Sequence, residues 1–170
     1  MVIMANIHYT AKRIAVCDKS GHTIAVLKDI LALCGHSGFE VLPAEEPIGQ
    51  DVQPLVLLFC EAEKIVDAPR FSTCVADYEL AARPELDGLH PLTYSITSNN
   101  ADFTARNIRR TQDGFAAFEI VGVGIIGRVK LAAGCERSVS AALAAAAASI
   151  ACGIPFAEVL EALNHIKIED

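Results

Sequence analysis

The sequence predicts an α/β protein: an open, mostly parallel sheet, extended by an antiparallel β-meander and completed by two C-terminal helices. Three observations carry this prediction. Short apolar runs without alternation, Ile14 to Cys17 and Leu55 to Cys60, read as strands buried on both faces of a parallel sheet. Three β-rich segments in the second half follow one another through tight turns. An alanine-dominated stretch and an amphipathic pattern then close the chain as helices.

Ile14 to Cys17 is the first strand, and a polar turn, Asp18-Lys19-Ser20-Gly21-His22-Thr23, follows it. A helix leaves this turn at about Gly21 and runs to Leu33. Ile24, Leu27, Leu31 and Cys34 recur at helical spacing and predict the inward stripe, with Lys28 and Asp29 toward water. Gly35 and Gly38 punctuate its end. Phe39 to Leu42 reads as a short strand, Pro43 to Pro47 as an acidic loop, and Leu55 to Cys60 as the next buried strand. Strand–helix–strand–loop–strand order implies an open sheet with right-handed crossovers. Between Asp67 and Pro91 three prolines (Pro69, Pro84 and Pro91) exclude a long element, leaving Thr73 to Ala76 and Leu92 to Ile96 as short strands.

Ala101 to Arg110, Phe115 to Val121 and Gly124 to Leu131 form the predicted meander, with turns at Gln112-Asp113-Gly114 and Gly122-Val123-Gly124. The Ala141–Ala148 helix follows and ends at Cys152-Gly153. Pro155 opens the last helix, Phe156 to His165, with Phe156, Val159, Leu160 and Leu163 inward and Glu158 and Glu161 outward. Alanine permits close backbone approach, so this helix pair is expected to cover one face of the sheet.

The 170 residues suffice for one domain with a sizeable core. The net charge of −7, with no cationic run longer than Arg109-Arg110, excludes a nucleic-acid partner from the expectation. Ser138 to Ile154 is uncharged but poor in large apolar residues, and it reads as a buried soluble helix, not a membrane span. Met1 to Thr10 has no charged n-region with an apolar core, so the expected place is cytoplasmic. Cys17, Cys34, Cys60, Cys74, Cys135 and Cys152 form no Cys-x-x-Cys and read as reduced, mostly buried thiols. The spacings of Cys17 with His22 and of Cys34 with His36 match no standard zinc module.

The chemistry centres on the first strand–turn–helix. Such a unit gathers backbone N–H groups and a helix N-terminus at one point, which suits an anion. Read plainly, Gly21 and His22 are only a turn and a helix start, and Thr23 helps to cap the helix. Glu61 and Glu63 stand just past a strand end, the edge where open α/β sheets place ligand groups, although acidic strand ends are also common on solvated surfaces.

The run Ala101-Asp-Phe-Thr-Ala-Arg-Asn-Ile108, a hairpin, Gly127-Arg-Val-Lys-Leu131 with Gly134, and an alanine helix closing in Leu143 and Gly153-Ile154-Pro155 resembles the end of the central domain of the Mur ligases. These are ATP-dependent amino-acid ligases of peptidoglycan synthesis, related to the folylpolyglutamate synthetases. The resemblance covers Leu92 to Leu163 and implies a P-loop-NTPase-like sheet, as one domain over residues 1–170 with no flanking Mur domains. It aligns the opening turn with the family's phosphate loop on Gly21. Asp18 then stands for the first glycine, Lys19 for the threonine, His22 for the lysine and Thr23 for the last residue.

The resemblance implies Lys19, Ser20, Gly21, His22 and Thr23 as a degenerate phosphate loop and Arg137 with Ser138 in place of the family's His-Asn nucleotide contacts. Thr23 and Glu61, or Glu63, would hold magnesium if a nucleotide binds. Histidine in place of lysine weakens the charge on a transferring phosphate, and Asp18 adds repulsion. No catalytic residue and no magnesium-binding segment can be matched between Ala62 and Leu92. The expected function is therefore a Mur-ligase-like domain that has lost ligase activity and serves as a binding or partner module linked to cell-wall synthesis. The alternative is a divergent ATP-dependent amide ligase, or a ligase subunit completed by another chain. No cofactor is expected, or ATP/ADP with magnesium at low affinity. Expected partners are a second copy or a Mur-type protein, with an anion or nucleotide as small ligand, and no membrane.

Overall fold

The computed structural model describes residues 8–61, 67–132 and 136–168. Glu63, Gly134 and Cys135 lie outside the described residues. β1 (Ala11–Cys17), α1 (His22–Leu33), β2 (Phe39–Pro43) and β3 (Val52–Phe59) come first. β4 (Thr73–Asp77) and β5 (Leu92–Ser95) are separated by short 3-10 turns, and β6 (Phe103–Arg110), β7 (Ala116–Gly122) and β8 (Ile125–Leu131) form the meander. α2 (Glu136–Ala151) and α3 (Phe156–Leu163) follow. The strands form one sheet in the order β2-β1-β3-β4-β5-β6-β7-β8. Pairing is parallel as far as β6 and antiparallel from β6 to β8.

The unbroken apolar runs fill two cores. Ile14, Val16, Val56, Leu58 and Val75 point into the larger one, which all three helices share. Their neighbours Ala15, Cys17, Leu57, Phe59, Cys74 and Ala76 face the opposite side, under Ala68 and Leu86 of the 3-10 turns. This is the two-sided burial that such strands require. α2 is longer than the predicted Ala141–Ala148 segment, and every residue from Ala141 to Ser149 is buried. The small alanines let it lie against the sheet and α1 at once.

Further details differ from the sequence reading. The buried face of α1 is Thr23, Val26, Leu27, Ile30 and Leu31, while Ile24 and Cys34 are only partly covered. The apolar stripe is turned because α1 packs against α2 as well as the sheet. β6 starts at Phe103, not Ala101, because the Asp102 carboxylate is drawn to β5 and accepts from Thr93 N at 2.8 Å and Thr93 Oγ1 at 3.1 Å. α3 ends at Leu163, where Asn164 turns to β8, accepting from Lys130 N at 2.8 Å and donating to Arg128 O at 3.2 Å.

Candidate functional site

The turn after β1 is built by its own side chains. Asp18 and Ser20 stand two residues apart, a spacing that favours a local side-chain turn. Asp18 Oδ1 accepts from Ser20 N at 3.1 Å and from Ser20 Oγ at 2.8 Å. Its other oxygen, Oδ2, accepts from Thr23 N at 2.9 Å. Gly21 precedes α1 in the left-handed region, at φ 75°, where an L side chain would be strained, and so carries no capping group itself. The cap comes from Asp18, three residues before Gly21. The expectation that Thr23 caps the helix is thus corrected: Thr23 supplies the N–H, and Asp18 supplies the acceptor.

Glu61 approaches from the end of β3. Its Oε2 accepts from Lys19 N at 3.1 Å, while the backbone N–H groups of Cys60 and Glu61 both reach Cys17 O at 3.2 Å. Three loop N–H groups, those of Lys19, Ser20 and Thr23, therefore point at carboxylates of this chain. His22 N is also engaged, donating to Ser20 Oγ at 3.3 Å.

Beneath the loop lies a buried network that the sequence did not disclose. Cys60 Sγ donates to Thr23 Oγ1 at 3.9 Å, and the Cys60 thiol shares a hydrogen bond with the hydroxyl of Tyr94. Burial pushes the Cys60 thiol up to about 12, and burial likewise raises the Tyr94 phenol well above its ordinary value. Both groups are thus neutral at pH 7. The partners come from α1, the residue after β3, and β5, so no local sequence signal connects them.

A cleft of about 350 Å³ opens over this network. Of the residues the resemblance grouped, it brings together Lys19, Ser20, His22, Thr23 and Glu61 with Arg137 but not Gly21, and it adds Asp18, Cys60, Tyr94, Ser140 and Ala141. Ser138 is not in the cleft. It is 3% exposed and turned into the core, because one residue along a helix from Arg137 is a rotation of about 100°. Ser140 and Ala141, three and four residues on, return to the Arg137 face. The cleft thus has cationic groups (Lys19, Arg137 and, when protonated, His22) facing two carboxylates. Among the described residues, no three His, Cys, Asp or Glu side chains converge as metal ligands.

No protein-family model and no curated protein sequence matches the chain. Solved structures do. A UDP-N-acetylmuramoyl-L-alanyl-D-glutamate–2,6-diaminopimelate ligase superposes with a TM-score of 0.67 at 10% identity, over 96% of this chain and 47% of its own. MurF from Acinetobacter baumannii gives 0.68 at 14% identity, over 95% of this chain and 47% of its own. A pseudomurein peptide ligase type C from Methanothermus fervidus gives 0.59 at 16% identity, over 96% and 50%. The chain has the Mur ligase fold.

This chain spans about half the length of those ligases. At such identities the likeness is one of fold. Within the Mur ligase fold as this chain builds it, the loop after β1, the end of β3 and the start of α2 meet at one cleft. Parallel α/β sheets place ligands at this edge, beyond the carboxyl ends of their strands.

Proposed function

We propose that this chain is a Mur-ligase-like domain that has given up ATP-dependent ligation and works as a binding or partner module in cell-wall synthesis. The observation that supports this reading best is the pair of Asp18 bonds to Ser20 N and Thr23 N. A phosphate loop works by presenting unsatisfied N–H groups and a fixed positive charge to a polyphosphate. Here the N–H groups already serve a carboxylate, which would also repel an incoming phosphate. Glu61, the candidate magnesium ligand, is spent on Lys19 N, and the Thr23 hydroxyl faces the Cys60 thiol. His22 stands where the resemblance places a lysine. These residues are a poor fit for a magnesium nucleotide.

The link to cell-wall synthesis is supported by the fold and by the ligase activities named for its structural neighbours. A cytoplasmic place accompanies the proposal; no described helix is long and apolar enough to cross a membrane. The deciding experiment is ADP release from ATP with magnesium and a panel of amino acids and carboxylate acceptors. No turnover above the protein-free blank is expected. Sustained release, abolished by His22→Ala, would overturn the proposal in favour of the divergent ligase.

A further inference from the structure

The meander has two faces. One carries Phe118, Ile120, Val129 and Leu131 into the helix-covered core. The other faces away from the helices, and a bulge decides what stands on it. Between Arg106 and Arg109 the ladder slips: Arg106 pairs with Glu119 and Arg109 with Ala117, so three steps on β6 match two on β7. Residues three apart on a regular strand point to opposite faces, whereas here both arginines come to the same side. Asn107, at φ 55°, takes up the left-handed backbone of the slip, a conformation asparagine tolerates.

The register then runs straight on into β8. Glu119 pairs with Arg128 and Ala117 with Lys130. Two rows result across the open face, Arg106–Glu119–Arg128 and Arg109–Ala117–Lys130. Cations stand on both outer strands, and the small Ala117 makes a low floor between them. A groove of about 500 Å³ lies over this floor, lined by Arg109, Ala117, Glu119, Arg128 and Lys130 among others, while Arg106 belongs to the same face but not to the groove lining. Its walls are two strand spacings apart, roughly 9–10 Å, and its rows are roughly 7 Å apart along β8.

The charges on this open face are unbalanced. Glu119 accepts from Asn107 Nδ2 at 3.2 Å and lies 4.0 Å from Arg128 Nε. Asp113 holds the Lys130 ammonium at 2.9 Å, over the ring of Phe115. Against these two carboxylates stand four cations, and among the described residues the guanidinium groups of Arg106 and Arg109 have no hydrogen-bond or ion-pair partner. This is a basic face on a protein of net charge −7. Beyond Glu119 the same face ends in Ile126, 69% exposed, beside Val121.

We propose that this open face of the meander docks an extended acidic segment of a partner protein. Alternate side chains of an extended segment repeat at roughly 7 Å, the spacing of the rows. A segment lying over Ala117 would set carboxylates against Arg109 and Arg128, with an apolar residue over Ile126. A single-stranded nucleic acid would want exposed aromatic rings for its bases, whereas Phe118 at this groove is buried in the core and the nearby Phe115 ring lies under the Lys130 ammonium. The proposal rests on the meander and not on the loop after β1, so its failure would leave the reading of that loop untouched.

The test is fluorescence anisotropy of the whole chain with a short labelled peptide of alternating glutamate and serine, at low and moderate salt. Binding is expected, weakened by salt, and lowered about tenfold or more by Arg109→Glu with Arg128→Glu. Arg70→Glu, an exposed charge reversal elsewhere, should leave it unchanged. Both variants should keep the parent melting temperature, because the altered side chains lie at the surface. Failure of the peptide to bind at low salt, indifference to the double reversal, or tighter binding of an oligonucleotide of equal charge would each overturn the proposal. So would a dimer in light scattering that the double reversal dissociates while the peptide stays unbound.

Discussion

Asp18 Oδ2 accepts the backbone proton of Thr23 at 2.9 Å, across the five residues that would encircle a phosphate. The loop thus carries its own anion. That single contact links a helix cap to the ligand preference of the whole cleft, and it separates two quantities that one substitution can read.

Asp18→Ala removes the cap on α1 and should destabilise the protein by about 0.5–2 kcal/mol in chemical denaturation. The same variant frees the N–H groups of Ser20 and Thr23. Pyrophosphate should then raise its melting temperature while leaving that of the parent unchanged. An Asp18→Ala protein that ignores pyrophosphate would show that the carboxylate is not what keeps anions out.

Stability should fall in alkali. Burial raises the thiols of Cys60 and Cys152 to about 12 and of Cys74 to about 11, from 9.0 in the unfolded chain. Between those values the native state holds protons that the unfolded state has released, so the contribution is complete below about pH 9 and is lost as pH rises toward 12. The urea midpoint should therefore drop steadily from about pH 9 upward. Cys60→Ala should flatten that slope, and an unchanged slope would assign it elsewhere.

Gly127 on β8 lies under α3. A Cβ there would meet the tips of Leu160 at 2.7 Å and 2.9 Å and of Phe156 at 2.9 Å. Both side chains are partly exposed and can swing, so Gly127→Ala should cost about 1 kcal/mol, the low end for overpacking. Gly127→Val should cost more, measured in the same denaturation series.

Asn164 ties three backbone groups together: it accepts from Lys130 N and donates to Arg128 O and Leu160 O, the last at 2.9 Å. Asn164→Ala should cost about 1–2 kcal/mol. Hydrogen exchange at the Lys130 amide should accelerate, and Asn164→Asp should restore its protection, because the acceptor returns.

Much of this fold was legible because burial leaves a mark in the letters. Ile14 to Cys17 and Leu55 to Cys60 must be apolar on both sides, and each face found its own core. The stripe of α1 was misread by part of a turn because periodicity cannot tell one covering neighbour from two. The grouping of Lys19, His22, Glu61 and Arg137 came from the resemblance to the Mur ligases, and a topology that brings strand ends and helix starts to one edge is why those residues meet at one cleft. Asp18 was legible only in part. Its type and position suggested repulsion of a ligand, while Asp-x-Ser is equally the signature of a carboxylate folded onto its own backbone. The bulge at Asn107 was invisible for a different reason, since the register of a ladder belongs to two strands and is written in neither alone.

A sheet of eight strands has two ends at which another strand could be added. At β8 the position is taken: Asn164 holds Lys130 N and Arg128 O, and Ile168 N reaches Ala132 O at 3.2 Å beside the bridge from Ala132 to Lys167. At β2 the strand is short, ends in Pro43, and runs into Glu45 and Glu46. Proline and like charge are poor company for a second sheet. The chain can therefore expose a broad open face on its meander without offering either edge as a template for runaway stacking, and Asn164→Ala would remove one of the two stoppers.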